Sequence, residues 1–200
     1  MTTRSSLKEH KLAPHLALIA VQVMFGTWPI VGKIALRAVS STELMALRTA
    51  GAAIAFSLLQ RKLGQLRRMP KRDLLSLVLC SALGVGFNQL LYLKGLSLTT
   101  VINVTLLSTA IPVFTLIVSV VLGYDRLSLR RTFGILLAGG GVIYLVDPLR
   151  ADFSSHTTTG NLLIVASSFC YGIYIVISKD LFKRYGALNV ITWIFVIASV

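Results

Sequence analysis

The sequence predicts an all-α, polytopic helical membrane protein, and three observations carry that expectation. Apolar side chains make up 55% of the 200 residues. They come in successive runs near the ~20 residues a helix needs to cross roughly 30 Å of hydrocarbon. Charged residues are only 14% of the chain, against about 25% in an ordinary soluble domain. Lysines and arginines, finally, gather in short segments between the runs. A soluble bundle would keep a polar face on each helix, and most of these runs have none. The same placement excludes nucleic acid as the partner of the +13 net charge, since charge confined to loops is the positive-inside pattern. The lipid bilayer is the partner this composition demands.

Taken in order, a basic tail at 1–13 (Arg4, Lys8, Lys11) precedes a first span at 14–36. Pro14 suits a first helical turn, where its missing N–H costs nothing. The run is too long for a signal-peptide core and lacks a small-residue cleavage site, so it is expected to stay uncleaved. Ser40-Ser41-Thr42-Glu43 reads as a turn with an N-cap. It opens a second span at 42–59, where Ala46, Ala50, Gly51 and Ala53 offer a small-residue face for close packing. A basic loop from Arg61 to Arg72 leads to a third span at 74–93, and Lys94-Gly95 with 97–100 reads as a short turn. The fourth span, 101–122, contains Pro112, which removes a helix hydrogen bond and introduces a kink. A short glycine-rich fifth span at 131–146 completes a unit over 14–147.

A polar loop at 148–159 follows, then a sixth span at 160–178 that opens a second unit over 160–200. From 189 a seventh apolar run begins, and only about twelve of its residues are written, too few to span a bilayer. The chain is therefore expected to be an incomplete protein with a truncated second repeat.

Fifteen of the 20 lysines and arginines fall on the side of the N-terminus, against Lys33, Arg37, Arg48, Lys94 and Arg150 on the other. The N-terminus is thus expected in the cytoplasm. Cys80 and Cys170 both lie inside spans, which argues against a disulfide framework or a metal site. His10, His15 and His156 are dispersed, no phosphate-binding glycine loop sits beside a strand, and no carboxylate lies mid-span. The residues point to no enzyme and no cofactor.

Phe25-Gly-Thr-Trp-Pro-Ile-Val-Gly-Lys33 returns without gaps as Tyr171-Gly-Ile-Tyr-Ile-Val-Ile-Ser-Lys179. Phe25 aligns with Tyr171, Gly26 with Gly172, Trp28 with Tyr174 and Lys33 with Lys179. If each stretch opens a unit, the unit has five helices. An odd count makes the second copy enter from the opposite face, the inverted-repeat arrangement of many secondary transporters.

Further landmarks follow in order: Leu44-Met-Ala-Leu-Arg48; Asn88-Gln-Leu-Leu-Tyr-Leu-Lys-Gly-Leu-Ser-Leu-Thr99; Ile111-Pro-Val-Phe114; Gly123-Tyr-Asp-Arg-Leu-Ser-Leu-Arg-Arg-Thr-Phe-Gly134; and Gly141-Val-Ile143. Together with the aromatic-glycine step they resemble the EamA-type repeat of the drug/metabolite transporter superfamily, over one whole repeat and the start of a second. Asp125 stands where that family usually has glutamate. The resemblance implies ten helices in inverted repeats of five transmembrane helices, placed in a bacterial inner (plasma) membrane. It also implies secondary transport of small organic metabolites or drugs by alternating access, with export as the expected direction. The competing expectation is a truncated or partner-dependent membrane protein without autonomous transport, served by a completing chain or a homo-oligomer.

Candidate substrate-binding residues are Trp28, Arg48, Asn88, Gln89, Tyr92, Asn103, Tyr171 and Tyr174. Arg48 lies about six residues, some 9 Å, into the second span. An ionised group at that depth costs about 2.5 kcal/mol or more unless it snorkels or is paired. It either reaches the interface or lines a cavity suited to anionic or zwitterionic solutes. Lys33 and Lys94, nearer span ends, are expected to snorkel. Asn88, Gln89, Tyr92, Asn103 and Thr105 should face the bundle interior, as interhelical glue or as lining of a solute path. Trp28 is either an interfacial anchor or a cavity-facing ring, and Glu43 and Asp125 read as capping or loop charges.

Overall fold

The computed structural model describes residues 3–63, 69–125, 128–146 and 155–199. Among them the secondary structure is helical throughout. The helices are α1 (Thr3–Ala35), α2 (Ser41–Leu63), α3 (Leu74–Ser81), α4 (Phe87–Leu98), α5 (Val101–Ser108), α6 (Ile111–Val121), α7 (Leu129–Val146), α8 (Ser155–Tyr185) and α9 (Ala187–Ala198). A 3₁₀ turn at Lys71–Asp73 leads into α3, and a π turn at Ala82–Gly86 joins α3 to α4. Five stretches are long and apolar enough to cross a membrane: Pro14–Ala35, Ser41–Leu63, Lys71–Leu98, Val101–Val121 and Thr157–Tyr185. They coincide with expected spans one to four and six, and α7 occupies the fifth. The molecule is an all-α polytopic membrane protein.

Several local expectations are corrected. Helix α1 begins at Thr3, so Pro14 lies inside it and not in its first turn, and the tail is not separate from the span. The helix starting at Ser41 is capped by Ser40. Its backbone N–H donates to Glu43 Oε2 at 2.7 Å while its Oγ accepts from the Glu43 N–H at 3.3 Å, a reciprocal capping box. The small-residue face of α2 is not a packing seam: Ala53 is buried, but Ala46, Ala50 and Gly51 are exposed. No turn forms at Lys94-Gly95, because α4 runs on to Leu98. The reason is a close helix crossing. A Cβ on Gly95 would lie 2.9 Å from the Gly160 carbonyl oxygen, so the two backbones approach as only glycine allows.

The fourth span breaks where a kink was expected. Thr109 and Ala110 close tight turns onto Leu106 and Leu107, and Pro112 sits in the first turn of α6. Gly123, at φ 73°, ends α6 with the Tyr124 N–H bonded to Ser119 O and its own N–H to Val120 O. That is the double bond of a Schellman cap. The outer loop expected at 148–159 lies outside the described residues as far as 154, as do Arg67, Arg68 and Arg126 of the charge pattern.

Helix α8 is central. It packs along α4 on one side and α6 on the other, while α9 turns back, after Gly186 at φ 79°, against α2 and α3. Two buried clusters result. Leu96, Val104 and Ile164, with Tyr92 and Leu36 against them, occupy the end bearing the α1–α2 turn. Leu77, Cys80, Val85, Leu181, Val190 and Ile194, with Tyr174 against them, occupy the end bearing the α8–α9 turn. Cys80 and Cys170 are free thiols.

Candidate functional site

Trp28 lies seven residues before the end of α1, and Arg48 seven residues after the start of α2. At about 1.5 Å per residue both stand about 10 Å from the turn that joins the two helices, so an antiparallel hairpin brings them level. Gly32, one turn above Trp28, leaves room: a Cβ there would be 3.1 Å from Leu96 Cδ2 and 3.4 Å from Trp28 Cζ2. The indole therefore lies in against Gly32, and the Arg48 guanidinium stacks on it with Cζ 3.6 Å from the ring centroid. Both side chains are half-buried. Tyr92 of α4 packs against the cluster of Leu96, Val104 and Ile164. Two candidate residues from two spans thus meet in one place.

The guanidinium has no carboxylate partner among the described residues, whose ion pairs are Arg72–Asp73, Lys179–Asp125 and Arg184–Asp73. The ring covers one face of the group and leaves its five N–H donors, which lie in the guanidinium plane. A half-buried cation with no carboxylate partner among the described residues can receive one.

The other candidates divide. Asn88 is glue: its Nδ2 donates to Ser167 O and Ser167 Oγ, each at 3.0 Å, and Ser167 Oγ donates back to Asn88 O at 3.0 Å. Asn103 is buried and donates to Thr99 Oγ1 at 3.1 Å, while Thr99 Oγ1 donates to Asn161 Oδ1 at 2.6 Å. That chain ties α5 and the end of α4 to α8. Gln89 is half-buried, and its Oε1 has no hydrogen-bond partner among the described residues. Thr105 does not face the interior; it is exposed and returns its hydroxyl to Val101 O. Tyr171 and Tyr174 pair with each other, ring centroids 5.4 Å apart. Tyr174 rests on Gly84 in the π turn, where a Cβ would stand 2.6 Å from its ring. It belongs to the cluster opposite to that of Tyr92.

Lys33 does more than snorkel. Its Nζ donates to the carbonyls of Leu96, Ser97 and Thr99, at 2.6, 3.1 and 2.7 Å, and so caps the C-terminus of α4. At the α8–α9 end, Asp73 is buried and accepts from Arg184 Nη1 at 3.1 and 3.3 Å and from the Tyr185 hydroxyl. No sequence signal pointed there, because the partners lie more than a hundred residues apart. A cavity of about 350 Å³ lies along α6, from Pro112 to the Asp125–Lys179 pair, and another of about 620 Å³ lies beside Arg61 and Lys62. Neither is lined by Arg48.

Residues 12–146 match the model of the EamA-like transporter family. The chain belongs to that family. An uncharacterized transporter of Methanothermobacter thermautotrophicus is 31% identical over 58% of this chain and 35% of its own length. A WAT1-related protein of Arabidopsis thaliana is 23% identical over 90% of this chain and 56% of its own length. The uncharacterized transporter YetK of Bacillus subtilis is 25% identical over 94% and 58%. The chain thus spans between about a third and three-fifths of the length of these relatives. No solved structure matches it. As an EamA-family chain with five candidate spans, it is an integral membrane protein of a transporter family.

Proposed function

We propose that the chain belongs to a secondary transporter that exports small organic metabolites or drugs by alternating access. In this reading it lies in a bacterial inner membrane with its N-terminus in the cytoplasm, 14–147 forms one five-helix unit and 160–200 opens an inverted second. The observation that carries it is the stacking of Arg48 from one span on Trp28 from another in an EamA-family chain. A cation left without an anion inside a membrane marks a solute path more often than a packing element. Tyr171, Tyr174 and the unpartnered Gln89 oxygen extend that path along α8 and α4.

Flux measured in reconstituted vesicles tests this. Arg48→Ala and Trp28→Ala should each lower flux by at least about tenfold, the loss of one charge-assisted contact, with insertion into the membrane unchanged. Equal flux in parent and both variants removes the cluster from the solute path. A second reading is a membrane protein that works only with a completing chain or a second copy. It predicts flux that rises steeply with protein density in the vesicle.

A further inference from the structure

We infer that Arg48 anchors a site for organic anions, binding a carboxylate edge-on while the apolar body of the ligand lies beside Trp28. The inference rests on the transport reading and narrows it to a substrate class. Comparison with three other cations of the spans points to it, Lys94 being exposed on α4. Lys33 is satisfied by three carbonyls, Lys179 by Asp125 and Arg184 by Asp73. Arg48 alone of these four has only an aromatic face.

Three carboxylates among the described residues are committed elsewhere. Glu43 is folded back onto the Ser40 N–H, and Asp73 and Asp125 serve the opposite end of the bundle. What the stacked guanidinium still offers is its planar fork, and the fork matches the two oxygens of a carboxylate. Stacking also holds the plane, so little side-chain freedom is lost when the anion arrives. A cationic solute would leave the fork unmet, and a neutral one would offer it only a weaker, uncharged acceptor.

Trp28 reports on its own site. The chain has 2 tryptophans, so Trp193→Phe leaves Trp28 as the only indole. With that protein in phosphatidylcholine vesicles, benzoate should change the Trp28 emission saturably, and benzamide, the same ring without the charge, should not. Arg48→Gln should abolish the benzoate response. Arg48→Lys, which keeps the charge and should fold even where the glutamine variant does not, should weaken it about tenfold, because an ammonium lacks the fork.

Equal responses to benzoate and benzamide, or a benzoate response unchanged in Arg48→Lys, would overturn the site. So would an emission that responds to added phosphatidylglycerol and not to benzoate, which assigns the fork to lipid headgroups. The two readings fail separately. A benzoate response lost in Arg48→Gln without any flux keeps the anion site and removes transport. Flux of a cationic dye with no benzoate-selective response keeps transport and removes the anion site.

Discussion

The 25–33 motif on α1 and the 171–179 motif on α8 share an aromatic-glycine-x-aromatic step and a closing lysine, yet they stand in unlike surroundings. Phe25 is 66% exposed, whereas Tyr171 is half-buried against Tyr174. A Cβ on Gly26 would meet nothing within 4 Å, while one on Gly172 would lie 3.0 Å from Phe114 Cβ and 3.1 Å from Thr115 N. Trp28 carries a guanidinium, and Tyr174 lies flat on the backbone of Gly84. Both lysines fasten a span end to another helix, but by opposite means. Lys33 feeds three carbonyls, and Lys179 meets a carboxylate at 3.7 Å. One pattern of residues thus serves a peripheral helix, which packs chiefly on α4 and α5, and a central one lodged between α4 and α6.

The glycines should give the largest contrast. Gly172→Ala puts a methyl against the α6 backbone and should cost about 1–3 kcal/mol, read as a lower unfolding midpoint in detergent. Gly26→Ala should be neutral or stabilising by up to about 1 kcal/mol from helix propensity alone. Equal destabilisation at both sites would mean that α1 is packed as tightly as α8.

The lysines come next. Lys33→Met removes charge-assisted bonds to carbonyls with no other donor of that strength and should cost about 1.5–3 kcal/mol. Lys179→Met breaks a half-exposed pair and should cost less than about 1 kcal/mol. A reversed order in a denaturant titration would place the stronger anchor at the α8–α9 end. Smallest is the stack itself. Trp28→Leu keeps an apolar side chain and should lose about 1 kcal/mol of cation–π attraction, a difference that Arg48→Gln should erase when the two changes are combined.

Much of the fold was legible because hydrophobic run length is set by bilayer thickness. Span positions, the Ser40–Glu43 cap, the break at Pro112 and the end at Gly123 all follow from local chemistry. Reading the site was less complete. That Trp28 and Arg48 are special was visible from their depth, but not that one stacks on the other. Nothing local separates Asn88, spent on Ser167, from Gln89, whose Oε1 is left over: they are neighbours in sequence and differ only in which side of α4 meets α8. Asp73 carries no local signal for the same reason, its partners being contributed by the far end of α8.

The sequence by itself determined that the chain crosses the membrane repeatedly, which family it belongs to and which polar residues are too deep to be accidental. Only the tertiary structure decided which of them are consumed by packing. Burial in lipid presses polar groups to find partners, but helix crossings choose which do, and those depend on where glycines such as Gly95, Gly160 and Gly172 let two backbones touch. Arg48 is the residue those crossings left with an aromatic face and no anion.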